Sequence, residues 1–172
     1  MKHRLPVLIL ASGLAFLLMG CRSVPQETMP SSCPMQAGKS AKDQRLPVPL
    51  PPHMAAHQLT QMRDHLAAIQ EVMTAATKGD FAAVERSASR IGSSDQMSRM
   101  CGHMGAGAPG FTEMALGFHR TADSITQAAR KRDTPAVYRA VAATLQTCVA
   151  CHSAYRQQIV DEAAWNRITQ PN

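Results

Sequence analysis

Near the end of the chain two cysteines and a histidine stand close together, as Cys148, Cys151 and His152, and they constrain the fold more than any other feature. The segment holding them opens at Thr134 as a cap with Pro135 at the first helical position. At about 100° per residue, both thiols and the imidazole fall within an arc of about 100° and project from one helix face. Tyr138, Val141, Leu145, Tyr155 and Ile159 lie in or near that arc, so the face is also the stripe such a helix buries. Cys-x-x-Cys-His on a helix is the attachment pattern of a c-type haem. Two thiols reach two vinyl groups on one porphyrin edge, and the adjacent imidazole turns under the ring to bind iron. The spacing predicts one covalent haem held in a helical core.

Two other chemistries use similar residues. A redox Cys-x-x-Cys of the thioredoxin kind follows a strand, and no strand pattern is legible near Cys148. A zinc site needs about four ligands, and the spacing of Cys33, Cys101 and His103 from the pair matches no finger or ribbon. A non-haem metal or disulfide module is therefore the reading from a different class.

The chain opens with Lys2 and Arg4 before an apolar run from Leu5 to Leu18, too short to span a bilayer and consistent with a signal peptide over 1–20. Leu18-Met19-Gly20-Cys21 resembles the end of a bacterial lipoprotein signal. That likeness implies lipid on Cys21 and membrane attachment in the periplasm, with Arg22 leaning toward the outer membrane. Without Lys2 and Arg4 the net charge is +4, scattered with no dense basic run, which gives nucleic-acid binding no support. With Cys21, Cys148 and Cys151 assigned, Cys33 and Cys101 remain in an oxidising compartment, an even pair that could form a disulfide. Residues 21–52, rich in proline from Pro25 to Pro52, read as a stiff extended tether.

The domain expected over 53–172 is all-α. A first helix starts near His53 and stops at Lys78-Gly79, and Asp80 caps a short second one ending at Gly92. Five glycines and Pro109 between Gly92 and Gly110 break regular structure, predicting a long loop. A third helix runs from about Phe111 to Lys131, and the fourth ends between Ile159 and Arg167. Short connections then favour an antiparallel four-helix bundle, with haem bound covalently near the C-terminal end of the fourth helix.

Cys148-Val149-Ala150-Cys151-His152 followed by Tyr155-Arg156, behind three helices, resembles the class II c-type cytochromes typified by cytochrome c′. The likeness covers about residues 53–160 and implies His152 as the proximal iron ligand, a distal side built by the first helix, a place for Arg156 at a haem propionate, and a homodimer through the first two helices. The proline-rich stretch, the glycine-rich loop and the lipoprotein-like leader depart from the simplest members.

The distal position decides the chemistry, since a sulfur or imidazole gives six-coordinate iron and an apolar side chain leaves iron open to a small gas. On a helical wheel Leu59, Met62, Leu66, Ile69 and Met73 face the core together, with His65 on the flank and His57 toward solvent. Met62 is the best-placed ligand. Leu66 is the opposing cap, close to the family's distal position, and His65 and His119 are further candidates. Arg63 and Arg156 could pair with propionates. Met97, Met100, Cys101, His103 and Met104 form a soft donor set that could take copper(I). The expectation is a periplasmic, lipid-anchored, mono-haem electron carrier serving redox partner proteins, not an enzyme. The runner-up is a five-coordinate haem protein binding nitric oxide or carbon monoxide.

Overall fold

The computed structural model describes residues 42–170. The signal peptide, Cys21, Cys33 and the tether up to residue 41 lie outside the described residues. The described chain runs β1 (Leu46–Leu50), α1 (Pro52–Thr77), α2 (Phe81–Ser89), α3 (Asp95–Met104), α4 (Phe111–Arg130), α5 (Thr134–Ala154), β2 (Tyr155–Ile159) and α6 (Glu162–Thr169). It is mostly helical, with one small two-stranded sheet. No described helix is long and apolar enough to cross a membrane.

Local chemistry sets most boundaries. Pro52 occupies the first turn of α1, where a missing N–H is harmless. After its end Gly79 takes φ 68° and turns the chain, and the Asp80 carboxylate accepts from Ala83 N at 2.9 Å to start α2. The cap of α5 is Asp133, one residue before the expected Thr134, and accepts from Ala136 N at 2.9 Å.

Elsewhere the structure departs from expectation. The glycine-rich stretch contains α3, because the Ser94 hydroxyl accepts from Met97 N at 3.1 Å and Asp95 adds an acid to the first turn. α5 stops at Ala154, short of Ile159. Tyr155 turns extended there, donates its hydroxyl to Pro109 O at 2.8 Å and sets its ring edge-on to Phe111 at 5.4 Å. Gly110 gives that hydroxyl room, since a Cβ at Gly110 would lie 2.9 Å from it. α6 is a further helix, seated by buried Trp165.

β1 and β2 pair in parallel, Leu46 opposite Tyr155 through Leu50 opposite Ile159. Parallel strands need a crossover, and here α1 to α5 form it. Pro47 and Pro49 alternate with Leu46, Val48 and Leu50, so the residues without N–H take the positions pointing away from the ladder. The last residues of the proline-rich stretch are thus packed into the domain, with Val48 and Leu50 buried.

Two separate cores result. The first joins α1, α2, α4 and α5 through Ile69, Val72, Val84, Ile125 and Val137. The second gathers Val48, Leu50, Met54, Met104, Phe111, Tyr155 and Trp165 around the strand pair. α4 packs extensively on α5 and on α2, α2 on α1, while α1 and α5 touch sparingly. Ile125 has no exposed surface. Ile125→Ala should therefore lower unfolding stability by about 2–5 kcal/mol, read from the urea midpoint.

Candidate functional site

The last two turns of α5 span the interval between the two cores, with Cys148 packed against the first and Cys151 against the second. Beside them a cavity of about 390 Å3 opens between α1, α3, α4 and α5. Cys148, Cys151 and His152 line it, as do Met62, His65 and Leu66 of α1, Phe118 and His119 of α4, and Met97, Met100, Cys101 and Met104 of α3. A second chamber of about 380 Å3 adjoins it and carries Arg45, Arg156 and Gln157. Gln58, Leu59, Met62, Phe111, Cys151 and His152 border both chambers. Both are walled mainly by apolar side chains; the first adds thioethers and histidines, the second the guanidiniums of Arg45 and Arg156 and the amide of Gln157.

The stripe that carries the cysteines on α5 is Val137, Ala140, Val141, Thr144, Cys148 and Cys151, spaced by threes and fours. Of the residues expected to share it, Val141 is buried, Leu145 is 40% exposed but lines the cavity with the cysteines, Tyr138 is 37% exposed and does not line it, and Tyr155 and Ile159 belong to β2. On α1 the buried face runs through Met54, Ala55, Gln58, Ala68, Ile69, Val72, Ala75 and Ala76. That face is centred near His65, not between Met62 and Leu66. Leu59, Leu66 and Met73 are 46, 64 and 38% exposed, and of these Leu59 and Leu66 border the cavity. The large side chains of α1 wall an open space, and its alanines are what allow the close approach of α2.

All four distal candidates, Met62, Leu66, His65 and His119, meet at the first chamber. The two histidines are committed to a ring cluster. His65 stacks on Phe118 at 4.8 Å and meets His119 edge-on at 5.5 Å. The Nδ1 of His119 lies 2.9 Å from Ile91 O; a carbonyl can only accept, so Nδ1 carries the proton and Nε2 keeps its lone pair. The Nε2 of His65 is buried without a hydrogen-bond partner. Burial, then the neighbouring His119, lowers the pKa of His65 to about 4, and burial lowers that of His119. Burial raises the pKa of Cys101, Cys148 and Cys151, which keeps them as thiols.

Of the soft donor set, His103 does not join its companions. It is exposed and meets Trp165 edge-on at 5.6 Å. Among the described residues no group of three or more His, Cys, Asp or Glu is placed to hold a metal ion. Arg63 lines the first chamber and Arg156 the second. Sequence reasoning missed Arg45, Gln58 and Gln157. Arg45 lies in the proline-rich stretch, and Gln58 is polar yet only 4% exposed, its Oε1 accepting from Gln157 Nε2 at 2.6 Å. Only the strand pairing brings these together.

No family model, curated protein or solved structure matches the chain.

The histidine cluster makes stability depend on pH. His65 titrates near 4 when folded and near its ordinary 6.5 when unfolded, so between these values the unfolded chain binds more protons. The urea midpoint should fall as pH drops from 6.5 toward 4, and His65→Leu should flatten that slope. A slope unchanged by the substitution would assign the loss to other groups.

Proposed function

We propose that this chain is a mono-haem c-type cytochrome carrying single electrons, built as an antiparallel four-helix bundle of α1, α2, α4 and α5 with α3, α6 and the strand pair added. One observation carries the reading. Cys151, His152 and Met62 border both chambers, so a thiol, an imidazole and a thioether from α5 and α1 surround one space. On this reading Cys148 and Cys151 would hold the porphyrin through thioethers, and His152 and Met62 would bind its iron. The haem supplies reversible one-electron chemistry at iron.

The chain's own residues do the remaining work. Cys148 and Cys151 sit on opposite cores, which holds the attachment turn in place from both sides. Leu59, Leu66, Phe111 and Phe118 give the space beside the cysteines an apolar wall. A thioether ligand in an apolar wall favours the reduced state and raises the potential. With lipid on Cys21 the domain would stand in the periplasm on the outer membrane, and the scattered basic charge suits an acidic redox partner.

A second reading rests on Leu66, which borders the first chamber with the largest exposure of any α1 leucine. If Leu66 rather than Met62 caps the iron, the protein binds nitric oxide or carbon monoxide instead. Absorption spectra of the full chain, produced with haem-attachment machinery, separate the two. The electron carrier should be low-spin, show a thioether-to-iron charge-transfer band that Met62→Ala abolishes, and ignore carbon monoxide. A high-spin spectrum that shifts with carbon monoxide and is indifferent to Met62→Ala would give the role to Leu66. In either case His152→Ala should change the ligand field, and a spectrum unaltered by it would remove His152 as a ligand. Protein lacking covalent haem after such expression would instead support the non-haem module.

A further inference from the structure

Resting on the haem reading, we propose that Arg45, set in place by Asp43, is the second arm of a two-guanidinium clamp with Arg156 that binds the carboxylate edge of the cofactor. The family likeness concerns Arg156 alone. Arg45 comes from the segment before β1, which the likeness does not cover.

The geometry is specific. Arg45 forks onto Asp43, Nε to Oδ1 at 3.0 Å and Nη2 to Oδ2 at 2.8 Å, and the Arg45 backbone N–H also reaches Oδ1 at 3.0 Å. These bonds, the side-chain one foremost, hold the Asp43 pKa down at about 2, so it is a carboxylate at any working pH. Nη1 of Arg45 donates to His152 O at 3.3 Å, one of the carbonyls left without a partner at the end of α5. A guanidinium has five N–H groups, and these contacts leave two for a ligand. Strand register brings the second arm alongside, since Pro47 faces Arg156. Nε of Arg156 lies 3.8 Å from Asp43 Oδ2, too far for a hydrogen bond, and is buried without a partner.

Both guanidiniums border the second chamber, together with Cys151 and His152. Stability does not account for the arrangement, because half-exposed ion pairs contribute little. A carboxylate already lies between the two arginines, Asp43 itself, so the pair accepts that group, and one buried N–H is still unsatisfied. Gln157 takes no share: it is held by Gln58 at 2.6 Å and Ala55 O at 3.2 Å. A ligand whose apolar body fills the first chamber would present its acids here, where paired forks bind them better than ammonium groups could.

The test uses the full chain carrying Cys148→Ala and Cys151→Ala, which retains His152 and takes porphyrin without covalent attachment. Haemin and its dimethyl ester, identical but for the free acids, are titrated into this parent and into versions with Arg45→Gln, Arg45→Lys or Arg156→Gln added. The parent should prefer haemin by roughly tenfold or more, the range expected for charge-assisted hydrogen bonds. Arg45→Gln should cut that preference several-fold while leaving ester affinity unchanged, and Arg45→Lys should restore part of it. A purely structural role would weaken both ligands together and overturn the clamp. So would a haemin-to-ester ratio in Arg45→Gln equal to the parent's, with the haem reading intact. Failure of haemin and its ester alike to bind the parent would overturn the haem reading and the clamp with it.

Discussion

The structure depends on a break in its hydrophobic packing. A chain of this size could bury one continuous core, yet the described domain builds two, and the C-terminal turns of α5 cross from one to the other. Cys148 and Cys151 are one helical turn apart, which is why one can pack on each side. The interval is not lost packing. It is lined by side chains too large to close over it, and α1 and α5 are held apart along it while α2 and α4 supply the contacts that keep the bundle together. Two cores on opposite sides of one cavity allow it to stay open, because neither can collapse into it without giving up its own contacts.

Parallel pairing of β1 with β2 ties the ends of the domain into one unit. Residues on either side of more than a hundred others are brought into register, so the strand pair at the second core needs the intervening helices folded back between its two strands. Tyr155 is the pivot. It ends α5, begins β2, packs on Phe111 and bonds to Pro109, and so fixes where the helix carrying the cysteines must stop. One more helical turn would carry Arg156 away from the second chamber.

What the sequence made legible follows from this. Elements defined by local chemistry were readable: the start of α1 near His53, the Gly79 turn, the Asp80 cap, the span of α4, and the single face presenting Cys148, Cys151 and His152. Elements defined by contacts across the chain were not. The end of α5 and the existence of β1 and β2 depend on pairing between residues 46–50 and 155–159, and no periodicity within either segment announces it. α3 was hidden by glycine content, although Ser94 before Asp95 was a usable cap signal. The α1 wheel held in part: Leu59, Met62, Leu66 and Ile69 line the first chamber, Met73 does not, and the face that packs on the other helices is shifted toward His65, where alanines alternate with Ile69 and Val72. Cys33 lies outside the described residues; Cys101 is buried in the cavity wall.

The choice among sulfur and nitrogen donors in the first chamber turns on which side chains are free to serve. His65 and His119 form a packed unit with Phe118, and His119 is also anchored to Ile91. Their lowered pKa values express the same burial: both sit as neutral imidazoles where a charge would be costly. Met62 has no such commitment. It is half-buried, borders both chambers with His152, and its unbranched side chain can take several rotamers at little cost. The α3 sulfurs line the first chamber but not the second. A thioether from α1 against an imidazole from α5 would also join two helices that otherwise touch sparingly, so ligation would add to a contact that the packing leaves thin.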